Sequence, residues 1–110
     1  MSADEAQTIV QDLVTRRAPA VQDFDGFLKV LKPSLKVSDH LLLLAYDRGG
    51  IGASYEQLES WVKPSMRTNL RRSLHRLVHE SAYLHFDGKK YVITLSGITE
   101  VESKHLHDFE

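Results

Sequence analysis

The sequence contains no cysteine among its 110 residues. This absence excludes disulfide bonds, thiolate metal ligands and cysteine nucleophiles. The chain also lacks an apolar run approaching the roughly 20 residues that span a bilayer, since its longest such run is residues 41–45. The acidic residues 1–5 lack the basic and apolar regions of a signal peptide. We therefore expect a cytoplasmic protein that has no membrane partner.

A strong excess of charge of one sign is absent as well. Lys and Arg number 14 against 15 Asp and Glu, which gives a formal net charge of -1 and excludes a diffuse polycation. Residues 63–90 nevertheless hold seven basic and two acidic side chains, a net charge of +5, whereas the rest of the chain carries -6. A localised basic segment of this kind indicates polyanion binding. The alternative is that these charges merely solvate one exposed helix.

Catalytic and cofactor motifs are also missing. The glycines of residues 49–52 follow no predicted strand and lack the lysine of a phosphate-binding loop. His75 and His79 have zinc-like spacing, but no cysteine or acid on the same helix face completes a site and neighbouring arginines repel a cation. We therefore predict no enzymatic activity, no cofactor and no metal site. Protonation of these histidines near pH 6 would instead strengthen phosphate contacts.

Capping signals and apolar periodicity predict six helices. They lie at residues 3–17, 24–31, 39–48, 55–62, 66–80 and 95–107. Ser38 is the expected N-cap of the third helix, Ser54 and Gln57 form a capping box for the fourth, and Thr94 caps the last. Trp61 lies on the apolar side of the fourth helix, so we expect it in the core rather than stacked on a base.

The predicted helix 66–80 has two opposite faces. The apolar face consists of Met66, Leu70, Leu74, Leu77 and Val78. The polar face is basic and rich in hydrogen-bond donors; it consists of Thr68, Arg72, His75, Arg76 and His79, with Arg67 and Arg71 at one border and Asn69 at the other. This pattern predicts a helix that packs on a core and presents positive charge to solvent.

A β-hairpin is predicted after that helix. Residues 83–86 and 91–93 are rich in aromatic and β-branched side chains, and Asp87-Gly88-Lys89-Lys90 separates them. The Asp-Gly dipeptide predicts a type I′ turn, with two lysines at the tip. The predicted fold class is therefore mainly α with a small β-hairpin, an α+β fold.

The order helix, helix, tight break, basic helix, hairpin and helix resembles a winged helix-turn-helix domain over residues 38–100. The resemblance rests on Tyr-Glu-Gln-Leu-Glu at 55–59, Leu-Arg-Arg-Ser-Leu-His-Arg-Leu at 70–77 and Tyr-Val-Ile-Thr-Leu-Ser-Gly at 91–97. The last stretch is similar to the Tyr-x-Leu-Thr-x-x-Gly wing exit of MarR- and PadR-type bacterial regulators. Ile93 stands where that pattern has Leu, and Ser81-Ala82 replaces the usual Gly and aliphatic pair.

This resemblance implies a winged helix-turn-helix core at residues 37–97, a helical extension at 1–36 and a C-terminal helix and tail at 98–110. It also implies sequence-specific binding of double-stranded DNA by a small transcriptional regulator. The expected recognition-helix contacts are Ser65, Arg67, Thr68, Asn69, Arg71, Arg72 and Arg76, because arginine and asparagine match the edges of guanine and adenine. Lys63, Lys89 and Lys90 are expected to contact DNA from the flank and the wing.

Two alternatives to duplex DNA remain open from the sequence. A winged helix can serve protein–protein interaction or assembly without DNA readout, and the charge pattern does not distinguish RNA from DNA.

Helices outside the reading head form the dimer in MarR- and PadR-like regulators. By that resemblance we expect a homodimer, with an interface formed by Ile9, Val10, Leu13, Val14, Ile98 and Val101. The alternative is that the terminal helices pack on their own winged core, which would be small without them.

Overall fold

The computed structural model describes residues 18–32 and 34–108. These residues form four α-helices and five short β-strands around one hydrophobic core. The predicted α+β class is confirmed. The predicted helix at residues 3–17, with the apolar side chains at positions 9, 10, 13 and 14, lies outside the described residues.

The first described element is a β-hairpin where the sequence analysis predicts a helix at residues 24–31. Strand β1 (Val21–Phe24) pairs antiparallel with β2 (Phe27–Val30). Asp25 and Gly26 join them with φ angles of 56° and 96°. Positive φ at both central residues is the signature of a type I′ turn. The helix prediction is wrong because the Asp-Gly turn reverses the chain, so that the flanking segments pair as strands. Along β2, exposed and buried side chains alternate with the strand period of two.

Helix α1 (Val37–Arg48) is the centre of the core. Its four consecutive leucines, residues 41–44, are all buried, so the helix packs against neighbours around most of its circumference. The helix begins one residue before Ser38, and Lys36 is the N-cap without a side-chain hydrogen bond. The predicted Ser38 cap is therefore wrong. The predicted stop is confirmed, because the Gly49 amide closes the helix on the carbonyls of Ala45 and Tyr46.

A two-residue strand that the sequence analysis does not predict follows α1. This strand, β3 (Ala53–Ser54), pairs with β5 (Lys90–Ile93), and β5 pairs on its other side with β4 (Leu84–Phe86). The sheet order is β3-β5-β4, and all pairs are antiparallel. Two residues are too short to show a periodic pattern, so only the pairing with β5 makes this segment a strand.

Helix α2 (Tyr55–Trp61) begins with the predicted capping box. The Gln57 amide donates to Ser54 Oγ at 3.2 Å, and the Ser54 amide donates to Gln57 Oε1 at 3.0 Å. Leu58 and Trp61 are buried, as expected. The burial of Trp61 confirms its assignment to the core.

The predicted helix 66–80 forms in two parts. Pro64–Asn69 is a 3₁₀ segment, and the α-helix α3 is Leu70–His79. The α-helix thus begins four residues later than predicted, because the chain first turns through the tighter 3₁₀ helix that often precedes α-helices. The predicted apolar face is confirmed, since Leu70 and the leucines one and two turns later are buried.

The hairpin formed by β4 and β5 is confirmed, but its predicted turn type is wrong. Within this turn only Gly88 has a positive φ, of 99°, whereas a type I′ turn requires a positive φ at both central residues. The Asp87 carboxylate instead accepts hydrogen bonds from the amides of Lys89 and Lys90, at 2.8 and 2.7 Å. These bonds close the turn.

Helix α4 (Leu95–Ser103) begins at the predicted cap, where Thr94 Oγ1 accepts a hydrogen bond from the Gly97 amide at 3.1 Å. It ends four residues before the predicted end at residue 107, as the chain turns at His105 with a φ of 55°. Val101 is 0% exposed within the chain's own core. Its assignment to a dimer interface is therefore wrong, because no surface of this side chain is available to a second copy.

Candidate nucleic-acid interface

The exposed face of α3 lies opposite its buried leucines. All ten basic and polar side chains predicted to contact DNA are exposed. They lie on the 3₁₀ segment, directly before it, on α3 or at the turn of the β4–β5 hairpin. They are Lys63, Ser65, Arg67, Thr68, Asn69, Arg71, Arg72, Arg76, Lys89 and Lys90. Burial of the leucines fixes the rotation of α3 about its axis, so it also determines which side chains face solvent.

Arg72 and Arg76 lie one helical turn apart on the outward face of α3. Within residues 18–32 and 34–108, neither side chain makes a salt bridge or a hydrogen bond. The acidic side chains of that part of the chain therefore leave both guanidinium groups uncompensated. These two arginines have the freedom to bind an external anion.

Arg71 has a different environment, because its guanidinium carbon lies 4.4 Å from the centroid of the Tyr55 ring. This distance is that of a cation–π contact. The same charge acts on Tyr91: burial raises the pKa of the Tyr91 hydroxyl above its usual value, and Arg71 partly offsets that rise. Arg71 is thus held between α2 and the hairpin, and it connects the two elements electrostatically.

Arg67 is anchored by its own hydrogen bond. Its Nε donates to the Glu59 carbonyl oxygen at 2.8 Å, which ties the 3₁₀ segment to α2. A guanidinium group carries five N–H donors, so this bond leaves the terminal nitrogens of Arg67 with donors for another acceptor. The contact orients Arg67 without using up its hydrogen-bonding capacity.

The lysines at the hairpin turn have an acidic neighbour. The hydrogen bonds from the amides of Lys90 and Lys89 lower the pKa of the Asp87 carboxyl below its usual value. Asp87 is therefore ionised at neutral pH, and its charge offsets one of the two lysines. The hairpin turn is a weaker positive site than its two lysines alone indicate.

A shallow groove of about 180 Å³ separates α3 from the hairpin. One wall contains Arg71, His75 and His79, and the other contains Phe86 and Tyr91. The two histidine rings lie 4.5 Å apart between centroids, and the two aromatic rings of the hairpin stack at the same separation. The groove combines basic and aromatic groups, which are the two kinds that contact phosphates and nucleobases.

Three residues of this surface are not predicted as nucleic-acid contacts by the sequence analysis: Tyr55, Phe86 and Tyr91. The sequence shows Tyr55 only as the first residue of a helix, and it shows the other two only as strand formers. Their association with Arg71 and with each other depends on the pairing of β5 with β3 and β4. No local pattern contains that information.

Other kinds of site are absent from the part of the chain that the structure describes. Its histidines, aspartates and glutamates nowhere form a group of three or more that is suited to a metal ion. No helix there is long and apolar enough to span a bilayer.

Comparison with known proteins leaves the chain without a match among protein-family models, curated proteins and solved structures. Its function is therefore inferred from its own residues.

Proposed function

We propose that this chain binds double-stranded DNA through a winged helix-turn-helix, as a small, sequence-specific transcriptional regulator. In this proposal α2 and α3 are the helix-turn-helix, and the β4–β5 hairpin is the wing. The pairing of β3 with β5 supports it, because β3 leads directly into α2 and pairs with Tyr91 and Lys90 next to the hairpin turn, which joins the hairpin to the helix pair. Hairpin and helices then form one surface.

The observation that carries the proposal is the outward arginine face of α3. An α-helix fits the major groove of B-DNA, and the guanidinium group matches both phosphate oxygens and the guanine edge. Arg72 and Arg76 are exposed and have no salt-bridge partner among the described residues. A charge that is not used within the fold is available for a polyanion.

Individual roles follow from position. Arg67, Thr68 and Asn69 lie in the 3₁₀ segment at the N-terminal end of α3, the end whose side chains reach base edges in helix-turn-helix complexes. Arg76 and the two hairpin lysines are assigned to phosphates, which position a protein without reading sequence. The groove between α3 and the hairpin then receives a segment of the DNA backbone.

Titration of a random-sequence duplex at two salt concentrations tests the proposal. The double variant Arg72→Ala with Arg76→Ala is expected to weaken binding and to reduce the slope of log affinity against log salt by about 2, since each phosphate contact contributes about 0.9. Its circular dichroism spectrum stays unchanged, because both side chains are exposed.

The matched control removes two other exposed lysines, Lys36→Ala with Lys104→Ala, which lie outside α3 and the hairpin. Equal loss of affinity in both double variants, or no binding of the natural chain at low salt, would contradict the proposal.

A homodimer is part of this proposal, and it would present two reading helices to a palindromic site. Since Val101 belongs to the core, the interface would use the apolar residues at positions 9, 10, 13 and 14 and the half-buried Ile98. Sedimentation equilibrium at micromolar concentration is expected to give twice the 12.5 kDa of the chain. The mass of a single chain would exclude the dimer.

A second candidate function is protein–protein interaction, and one observation favours it. The β1–β2 hairpin exposes two aromatic side chains at its turn, Phe24 by 51% and Phe27 by 43%. Neighbouring exposed aromatic residues are typical of protein interaction surfaces. This function predicts that Phe24→Ser abolishes capture of a partner while duplex binding is absent in the natural chain.

A further inference from the structure

The groove between α3 and the β4–β5 hairpin has an aromatic wall that contact with a phosphate backbone does not require. Phe86 and Tyr91 line this wall and are cross-strand partners in the register of β4 and β5. Their rings stack with centroids 4.5 Å apart and an angle of 29° between the planes. Phe86 is nevertheless 42% exposed. The stacked pair therefore leaves part of the Phe86 ring open to a further partner in the groove.

Tyr91 gives the Phe86 ring a fixed support. Tyr91 is half-buried and packs against the hydrophobic core, and its strand pairs on both sides, with β3 and with β4. These neighbours hold the tyrosine ring, and the tyrosine ring in turn covers one side of Phe86. A side chain that is already held in place loses little conformational freedom when another flat group stacks on it.

The α3 wall of the same groove supplies hydrogen-bond donors. His75 and His79 are both exposed there, with ring centroids 4.5 Å apart. Apart from this ring contact, neither side chain has a hydrogen bond or a salt bridge among residues 18–32 and 34–108. An imidazole has at least one N–H donor whether it is neutral or protonated. Both histidines therefore have a donor available for a phosphate oxygen.

The rest of the groove lining is compatible with an anion. It contains no carboxylate, and the neighbouring acid of the hairpin, Asp87, accepts hydrogen bonds from amides of its own turn. Arg71 also lines the groove, but its guanidinium group already contacts the Tyr55 ring. The two histidines are thus the polar groups of this wall without another polar contact.

Duplex DNA does not offer the face of a base to such a ring. Within a duplex each base stacks on its neighbours, so a protein in the grooves reaches only the base edges and the backbone. An unpaired nucleotide exposes the face of its base, and aromatic side chains of single-strand binding sites stack on that face. A supported, exposed aromatic ring opposite phosphate donors is therefore suited to a nucleotide outside the duplex.

We propose that this groove binds an unpaired nucleotide: its base stacks on the Phe86 ring, and its phosphate accepts hydrogen bonds from His75 and His79. A lone phosphate would leave the ring uncovered, and an apolar molecule would leave the imidazole donors without an acceptor. The duplex part of the complex rests on the proposed function, with Arg72 and Arg76 on the adjoining strip of α3. The chain would then prefer a duplex that continues into a single strand over a blunt duplex.

Fluorescence anisotropy of the full-length chain with matched DNA molecules tests the site. They are a blunt random-sequence duplex, the same duplex with a short single-stranded extension at either the 3′ or the 5′ end, and the extended duplexes with abasic residues in the extension. The abasic form keeps the phosphates and lacks the bases, so it separates stacking from charge. We expect one base-bearing extension to bind about fivefold more tightly than its abasic counterpart, at the lower end of the range for a base on an aromatic side chain.

Phe86→Leu is expected to abolish the difference between the base-bearing and the abasic extension, because leucine keeps apolar surface but has no flat ring. Phe24→Leu is the matched control, since it removes an exposed phenylalanine of the other hairpin, and it should keep the fivefold difference. The comparison of the two extensions uses the natural chain, so it decides the proposal even where Phe86→Leu loses stability.

The histidines have a separate readout. His75→Ala with His79→Ala is expected to weaken the extended duplex about fivefold with bases and without them, as the loss of two hydrogen bonds to phosphate does. His85→Ala is the matched control, because His85 is exposed on β4 and does not line the groove. Equal losses in the two histidine variants would remove the phosphate contact from the proposal.

A single-stranded oligonucleotide, with bases and in abasic form, repeats the comparison without a duplex. Equal binding of the base-bearing and abasic molecules, or a difference that persists in Phe86→Leu, would overturn the proposed nucleotide site. Binding of the blunt duplex without that difference would leave the proposed function standing and remove only this site. Binding of the oligonucleotide without binding of the blunt duplex would have the opposite result, and a chain that binds neither would lose both.

Discussion

At the residue scale, side chains of the same type have different roles in the candidate interface. Arg71 lies over a tyrosine ring, Arg67 is tied to a backbone carbonyl, and Arg72 has neither contact among the described residues. The sequence places all three on one predicted helix and distinguishes them only by face, with Arg72 on the polar face and Arg67 and Arg71 at its border. Their neighbours decide which of them are fixed within the fold and which are available for binding.

The contact of Arg71 with Tyr55 is expected to preorganise the guanidinium for duplex binding. Replacing Tyr55 with Leu keeps an apolar residue but removes the ring, and should lower duplex affinity two- to fivefold, the equivalent of about 0.5–1 kcal/mol for an exposed cation–π contact. Tyr55→Phe retains the ring face and should bind as the natural chain does. Fluorescence anisotropy with a labelled duplex measures both variants, and equal losses in the two would exclude the cation–π contact.

His40 predicts how stability depends on pH. Burial holds the pKa of His40 below its ordinary value of 6.5, so the unfolded chain takes up a proton first as the pH falls. The stabilisation from neutral His40 is therefore complete above about pH 6.5 and is lost as the pH decreases toward the folded-state pKa. Urea unfolding from about pH 7.5 to 5.5 should show this decrease.

His40→Gln should flatten that dependence. The other groups with shifted pKa values in the described residues titrate outside this range: Asp87 below 3.8, Tyr91 above 10.0 and Lys104 above 10.5. An unchanged slope in the variant would assign the pH dependence to a different histidine.

At the element scale, close backbone approach and turn geometry determine where helices and strands end. The hairpin β1–β2 shows this clearly, because residues 24–31 contain apolar side chains that fit a helix as well as a strand. Asp25 and Gly26 adopt the two positive φ angles that a helix excludes. The same dipeptide at Asp87 and Gly88 forms a different turn, since the carboxylate closes it. A dipeptide therefore indicates a turn without specifying its type.

Gly97 predicts a test of how α4 packs on the sheet. A Cβ atom at this position would collide with the Tyr83 carbonyl oxygen and approach Ile93 Cγ1 to 2.7 Å. Alanine is the better helix former by about 1 kcal/mol, yet a collision with backbone costs about 1–3 kcal/mol. Gly97→Ala should therefore lower the unfolding free energy by about 1 kcal/mol.

Urea denaturation measures that change. Ser96→Ala is the matched control, because Ser96 is exposed in the same turn of α4. The control should retain or slightly raise stability. A gain of stability in Gly97→Ala would show that α4 moves away from the sheet without cost.

At the scale of the whole molecule, the fold exposes a basic segment that is already separated from the acidic residues along the sequence. The basic residues at positions 63–90 come to lie on the 3₁₀ segment, on α3 and at the hairpin, whereas the core takes the leucines of α1 and α3. Under the proposed function, the acidic remainder would limit nonspecific attraction of the other faces to phosphates. A net charge of -1 therefore coexists with a local positive surface.

Val101 tests whether α4 belongs to the core of one chain. Val101→Ala removes buried apolar atoms from a side chain that is 0% exposed, and should lower the unfolding free energy by about 2 kcal/mol. The sedimentation mass should not change, because this residue faces no second copy. Leu95→Ala is the matched control on the same helix, since Leu95 is 80% exposed. A change in the sedimentation mass of Val101→Ala would show that Val101 contributes to an interface between two chains.

The sequence by itself determined the features that depend on near neighbours in the chain. The capping box at Ser54, the cap at Thr94 and the two faces of α3 follow from spacings of three and four residues. The tertiary structure alone decided the pairing of β3 with β5, the contact of Arg71 with Tyr55 and the groove between α3 and the β4–β5 hairpin. Each joins residues that are distant in the chain, and their meeting depends on how the whole core packs rather than on a local pattern.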